Sequence, residues 1–278
     1  MSADIKQIKN RIKSVDSTLH ITKAMKLMAS SKIHRAEAAF RACRPYTLHI
    51  EEITGELLTK ENGRHPAVAP KNPDAPELCI IIAADRGLAG SFNGALFRML
   101  DASERRDGPV IAIGKRAVEY AARAKRDTVL KVASSEKITS DQIERITEIA
   151  VSGYLRGDFS RVSIAYNRFR NALTQYPDEI KLLPLEISPG TGSITEYEPG
   201  LGEALSFALP FCVRARVRSA VKESYLSEQY ARRNAMDSAT ENAQEMIDSL
   251  TLKYNRARQN SITQEITEIV AGANAETR

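Results

Sequence analysis

The turn Asp85-Arg86-Gly87-Leu88-Ala89-Gly90-Ser91-Phe92-Asn93 is the place in this 278-residue chain best suited to chemistry. It follows a short apolar run and opens a helical stretch, where glycine-rich loops present backbone N–H groups to phosphate. Its glycines, Gly87, Gly90 and Gly94, are spaced G-x-x-G-x-x-x-G. That is neither G-x-G-x-x-G nor the P-loop pattern, and no Lys-Ser/Thr pair follows. A tight strand-to-helix turn that uses glycine for backbone freedom accounts for the same residues. A nucleotide-binding α/β enzyme built on this turn is therefore the alternative function.

Other reactive groups do not converge. Asp85 stands at a strand end without a His or Lys partner in its motif, so capping or pairing with Arg86 is its expected role. There is no G-x-S-x-G elbow. Cys43, Cys79 and Cys212 are scattered and odd in number, a poor disulfide or metal framework. His20, His34, His49 and His65 form no H-x-x-x-H pair. No cofactor, metal or catalytic residue is expected. With no Trp and 6% aromatics, a base-stacking nucleic-acid surface is not expected either. The longest apolar run, from Leu78 to Ala84, stops at Asp85, well short of a membrane span, and the first residues lack a signal-peptide pattern. The expected compartment is the reducing cytoplasm.

Charge is uneven. The first 44 residues carry ten Lys/Arg against three acidic residues, although the whole chain is only +5, which points to an acidic partner. Later basic residues (Arg214, Arg216, Arg218, Lys222; Lys253, Arg256, Arg258) are spread along rods and fit solvated helix faces.

The elements that carry these residues follow from punctuation. Residues 1–54 contain no Gly and one Pro, Pro45, and residues 211–271 contain neither. Little stops a helix there. At 1.5 Å per residue the second stretch would be about 90 Å long and the first 44 residues about 65 Å. Between them, apolar runs alternate with helical patterns: strands at 77–84, 110–114, 128–132, 161–169 and 180–187, with helices at 93–104, 115–125 and from 140 or 141 to about 153. That alternation predicts a parallel α/β sheet. The expected divisions are a helix over 1–60, a proline-rich linker over 61–76, an α/β domain over 77–209 and a helix over 210–278.

Ile5, Ile8, Ile12, Val15 and Leu19 are spaced 3, 4, 3, 4, and the rhythm runs on through Thr22, Lys26, Ala29, Ile33, Ala36, Phe40 and Cys43. Met25, Leu27 and Met28 fall off this seam. Either the helix rotates and they join one core, or they point outward into a surrounding protein. The last segment shows Met236, Ala239, Ala243, Ile247, Leu250, Tyr254 and Ala257, then a slip to Ile262, Ile266, Ile269 and Ala273. The two ends are expected to pair antiparallel, with irregular supercoiling at the slips.

Three motifs carry a resemblance: Ile21-Thr22-Lys23-Ala24-Met25-Lys26-Leu27-Met28-Ala29-Ser30-Ser31-Lys32, the turn from Asp85 to Gly90, and Leu252-Lys253-Tyr254-Asn255-Arg256-Ala257-Arg258-Gln259-Asn260-Ser261-Ile262-Thr263-Gln264-Glu265-Ile266. Together with Ser227-Glu228-Gln229-Tyr230-Ala231-Arg232 and Tyr197-Glu198-Pro199, they make the chain similar, along essentially its whole length, to the gamma subunits of F-type ATP synthases. Ala89 stands where that family often has Cys, and no dithiol insert is present, so the resemblance is to bacterial-type members without thiol control.

The resemblance implies a long antiparallel coiled coil of the N- and C-terminal helices plus a central Rossmann-like parallel α/β domain. It implies a non-catalytic rotor shaft that couples ion translocation to ATP synthesis or hydrolysis. The implied partners are the alpha and beta subunits, the epsilon subunit and the c-ring. The implied location is peripheral, on the cytoplasmic face of the bacterial plasma membrane. It places Lys23, Met25, Lys26, Arg258, Gln259, Ile262 and Ile266 against the catalytic ring. Tyr197, Glu198 and Pro199 are the implied foot contacts to the c-ring and epsilon.

Overall fold

A computed structural model describes residues 3–60, 65–103, 108–186 and 200–276. The elements are α1 (Ala3–Lys60), β1 (Glu77–Ile82), α2 (Phe92–Ala102), β2 (Val110–Ile113), α3 (Lys115–Arg123), β3 (Thr128–Val132), α4 (Ser140–Arg156), β4 (Arg161–Phe169), β5 (Gln175–Leu183) and α5 (Leu201–Glu276). The chain divides into two compact units: Met1–Ala29 with Arg233–Arg278, and Ser30–Arg232. No helix among the described residues is long and apolar enough to cross a membrane.

The larger unit is built on one sheet of order β3-β2-β1-β4-β5. The first four strands are parallel, with Ile80 of β1 opposite Ile111 of β2 and Ile164 of β4. β5 departs from the parallel expectation and runs antiparallel to β4. Only residues 170–174 connect those two strands, too few for a parallel crossover. Asn171 closes the turn, its side-chain oxygen accepting from the backbone N–H of Leu173 and Thr174. β5 also starts five residues before its expected position, through Tyr176-Pro177-Asp178. An edge strand tolerates the missing N–H of Pro177, which a central strand would not.

β1 and β2 are buried on both faces, hence their unbroken apolar runs, whereas β3 at the sheet edge alternates in exposure. Leu78, Ile80 and Ile82 face one core with Leu57 and Leu58 of α1, Ile143 and Ile146 of α4, and Leu205, Leu209, Val213 and Val217 of α5. Cys79, Ile81 and Ala83 face the other, with Leu96 and Leu100 of α2 and Ala117 and Tyr120 of α3. Each fully buried Ile or Leu stabilises the unit by about 1.5–3 kcal/mol. α4 opens with a capping box between Thr139 and Gln142 and ends at left-handed Gly157. Gly153 does not stop it. A side chain there would collide with the Phe159 ring, so packing is what requires that glycine. α5 begins at Leu201, nine residues before the expected boundary, and holds Pro210 inside it. The stripe Leu205, Leu209, Cys212 and Val213 binds this early stretch to the sheet and outweighs the proline.

In the smaller unit the two helix segments run antiparallel. The Thr22 and Thr240 hydroxyls lie 2.9 Å apart, and one turn onward along α1, Lys26 reaches back one turn along α5 to Asp237. Ile5, Leu19, Thr22 and Ala29 are buried and Ile8, Ile12, Val15 and Lys26 half-buried, so the seam keeps its 3–4 rhythm through the two polar residues. On α5, Met236 and Ala243 are buried, and Ala239, Ile247, Leu250, Tyr254, Ala257 and Ser261 are half-buried. The expected slip after Ala257 therefore does not occur. The seam continues to Ser261, while Ile262, Ile266, Ile269 and Val270 are 43%, 57%, 71% and 53% exposed. Carried down α1, the Thr22–Thr240 register brings Ala3 opposite the neighbourhood of Gln259. The next turns of α5 lie past the described start of α1, and among the described residues no helix covers their apolar side chains.

Candidate functional site

The glycine turn after β1 is committed to the protein's own structure. The Asp85 carboxylate accepts from Ser134 Oγ at 2.6 Å, and from the backbone N–H groups of Ser135 at 2.8 Å and Glu136 at 3.2 Å. It thus caps the loop after β3 rather than pairing with Arg86. Gly90 is left-handed, and a Cβ on Gly114 would lie 2.1 Å from the Ala83 carbonyl, so β1 and the start of α3 touch through backbone alone. Ala84, Ala89, Phe92 and Ala231 form a small apolar cluster beneath the turn. A carboxylate at the strand end, where a nucleotide phosphate would sit, repels that ligand. The alternative reading of this turn loses its physical basis there.

α5 meets this turn, and α1 meets the loop after β3 that Asp85 caps. Arg232 of α5 donates to the Gly87 carbonyl at 3.3 Å and to Glu228 at 2.6 Å; the pair's side chains are 10% and 6% exposed. Lys32 of α1 donates to Glu136 at 2.8 Å, and the Tyr225 hydroxyl of α5 donates to the same carboxylate oxygen at 2.9 Å. Burial pushes the Glu228 carboxyl above its usual range, and Arg232 opposes that without cancelling it. For Glu136 burial also disfavours charge, but hydrogen bonds from Lys32 and Tyr225 outweigh it and hold the carboxyl below its usual value. Spacing within the Ser227–Arg232 motif could have revealed the Glu228–Arg232 pair, since an (i, i+4) Glu-to-Arg order favours contact. Nothing local announces the partners of Asp85, which lie some fifty residues away.

A cleft of about 700 Å³ opens between α1, α5 and the β4–β5 hairpin. Its carboxylates have partners: Glu51 with Arg216 at 2.6 Å, Glu186 with Lys181 at 2.7 Å, and Glu223 with the Tyr166 hydroxyl at 2.9 Å. Burial pushes the Cys79 thiol up to about 12, and Cys43 and Cys212 are raised as well. These are protonated structural thiols, not nucleophiles.

The outward faces of the paired helices are the other candidate. Lys23 is exposed and Met25 half-buried, whereas Lys26 turns inward to Asp237. Leu27 and Met28 are 70% and 57% exposed, so they do not join one core with the seam. Ile21, Met25 and Met28 share one helix face at i, i+4, i+7. Arg258 and Gln259 are exposed. Arg258, Ile262, Ile266 and Ile269 follow at i, i+4, i+8, i+11, a single stripe with a cation at one end. Exposed Ile21, Met246, Leu252 and Val270 extend the apolar surface beyond the residues the sequence had singled out. Tyr197, Glu198 and Pro199 lie outside the described residues. What such rods can do is not bond chemistry. They can present directional charges and an apolar stripe to proteins packed around them.

A family profile described as ATP synthase matches residues 4–275. The ATP synthase gamma chain of Desulforamulus reducens is 40% identical over 281 residues, covering 98% of this chain and 99% of its own. That of an Anaeromyxobacter species is 39% identical over 287 residues, covering 98% of each. Among solved structures, the rotor of the Euglena gracilis mitochondrial ATP synthase in rotational state 1 aligns with a TM-score of 0.65 at 19% identity, over 93% of this chain and 99% of that one. An OSCP/F1/c-ring structure of the same enzyme gives 0.69 at 20% identity, over 98% and 94%. At these identities the solved structures share the fold.

Proposed function

The chain belongs to the ATP synthase gamma-chain family, and we propose that it works as that enzyme's central shaft through the outward faces of its paired helices. It is a non-catalytic subunit of the rotor. It couples ion translocation in the membrane sector to ATP synthesis or hydrolysis in the ring of alpha and beta subunits. The observation that carries the reading is the exposed apolar stripe of Ile262, Ile266, Ile269 and Val270 toward the end of α5. Such a stripe favours burial in a sleeve supplied by other chains.

Coupling requires no bond-making by this chain. A lopsided shaft stabilises one conformation of each surrounding subunit at each angle, and only differential contact of that kind can shift their equilibria. Lys23 and the face of Ile21, Met25 and Met28 meet an acidic loop of a catalytic subunit, while Lys26 contributes from the seam. The pliable thioethers suit a contact that must re-form at every step. Arg258 and Gln259 hold a second loop. Ile262 and Ile266 begin the segment seated in the sleeve. The sheet domain faces epsilon and the c-ring, with Tyr197, Glu198 and Pro199 as foot contacts. The assembly sits on the cytoplasmic face of the bacterial plasma membrane, held there through its partners.

Arg258→Ala removes charge-assisted hydrogen bonds of about 1.5–3 kcal/mol from the contact states in which they form. In the reconstituted complex it is expected to lower ATP-driven ion pumping roughly tenfold, with the isolated chain still folded. Met25→Lys places a charge in a sliding apolar contact and is expected to lower ions pumped per ATP several-fold. Wild-type pumping in both variants would show that these faces are not the coupling surface.

A further inference from the structure

Both helices are tied to the carboxyl-terminal edge of the sheet at the limit of the larger unit. Arg232 is the last residue of that unit on α5, and Lys32 lies two residues inside its start on α1. The ties converge. Lys32 and Tyr225 donate to one oxygen of Glu136, at 2.8 and 2.9 Å. The backbone N–H of Glu136 is itself held by Asp85, which continues β1. Seven residues beyond Tyr225, Arg232 donates to Gly87, two residues after Asp85. Tyr225, Glu228 and Arg232 fall on one face of α5 over two turns.

We propose that this network, Lys32, Glu136, Tyr225, Asp85, Glu228 and Arg232, is a torsional anchor that stops α1 and α5 from rolling against the sheet domain. Apolar packing holds a helix against a sheet but is non-directional, so a helix seated only on Leu and Val can roll by small rotamer adjustments. Hydrogen bonds are directional and weaken steeply when misaligned. Two such ties on one face of α5, with α1 joined to the same carboxylate, fix the azimuth of both helices at once. The glycine turn gains a purpose here. Gly87 offers its carbonyl to Arg232, and Asp85 locks the loop that carries Glu136. The buried pair keeps Arg232 extended toward the turn, because Glu228 one turn earlier orients its guanidinium. The inference rests on the rotor reading, since only a chain that transmits torque needs its helices locked in angle.

The test uses the assembled complex, its ring fixed to a surface and a bead attached to the sheet domain at Ala122→Cys, an exposed site on α3. Angular variance is read at stalled positions. Lys32→Met with Tyr225→Phe removes both donors to Glu136 without burying a charge, and the variance is expected to rise about two-fold or more, beyond either single change. Lys32→Arg keeps the tie and is expected to restore the wild-type variance. Tyr225→Phe alone, which deletes one oxygen, gives a smaller rise should the double variant fail to assemble. A purely structural role lowers the melting temperature of the chain and leaves the variance unchanged, which overturns the anchor. A wild-type complex that hydrolyses ATP while the bead stays still overturns the rotor reading instead.

Discussion

Replacing Ile262 and Ile266 together with aspartate is expected to reduce coupled ATP synthesis at least about tenfold while leaving the chain's own stability nearly untouched. The two effects separate because the residues are 43% and 57% exposed on the chain and lie past its helix seam. Exposed substitutions usually stay within about 0.5 kcal/mol, so the melting temperature of the isolated chain should move by about 1 °C or less. In the sleeve the same change forfeits roughly 1.5–3 kcal/mol of burial at each site and adds two unpaired charges. Either term alone exceeds the 1.4 kcal/mol that separates a tenfold change. Conservative Ile→Val changes at both sites should keep most activity. A double aspartate variant that lost stability and synthesis in parallel would mean that the stripe packs within the chain.

Arg232→Met is expected to destabilise the larger unit by about 3–5 kcal/mol near pH 8, because it leaves Glu228 buried without its partner. For a domain of this size that is a fall of roughly 6–20 °C in melting temperature. The deficit should shrink as pH falls. Burial already raises the Glu228 carboxyl above its usual value in the folded state, and losing Arg232 raises it further. Between the unfolded value, near 4.5, and the raised folded value, the folded chain keeps a proton that the unfolded chain has released. Stability therefore declines as pH rises through that window and is regained as pH drops back through it. Glu136 behaves oppositely. Its lowered carboxyl contributes stability above the ordinary carboxylate range, and that contribution is lost as pH falls through the folded value. Thermal melts of Arg232→Met at pH 5 and pH 8, beside the Glu228→Gln/Arg232→Met double variant, isolate the effect. The double variant should lose the pH dependence; an equal deficit at both pH values in the single variant would refute it.

Local periodicity made much of this molecule readable. The seam from Ile5 to Cys43 survives in the fold because 3–4 spacing is a property of one helix and needs no knowledge of its partner. The central strands β1 and β2 were visible because burial on both faces demands continuous apolar runs such as Leu78-Cys79-Ile80-Ile81-Ile82. What escaped depended on distant contacts. The early start of α5 rests on Leu205 and Leu209 meeting strands that lie far away in the sequence, which the pattern around Pro210 does not announce. β5 looked too polar at Tyr176-Pro177-Asp178 because an edge strand needs neither full burial nor every N–H. Ile262, Ile266 and Ile269 had the right rhythm for a seam, but whether they were covered depended on packing against a helix some 250 residues away in the sequence. The role of Asp85 was hidden for the same reason: the loop it caps arrives only when β3 takes its place beside β2.

The central claim is mechanical, that this chain turns inside a ring of other subunits while those subunits handle ATP. Its most direct measurement starts from a complex purified through a tag on this chain, with alpha and beta subunits retained, the ring fixed to glass and a bead on the sheet domain at Ala122→Cys. Adding ATP should drive the bead in one direction in discrete steps, with a rate that follows the rate of hydrolysis. A complex that hydrolyses ATP at its normal rate while the bead only fluctuates about a fixed angle would contradict the account.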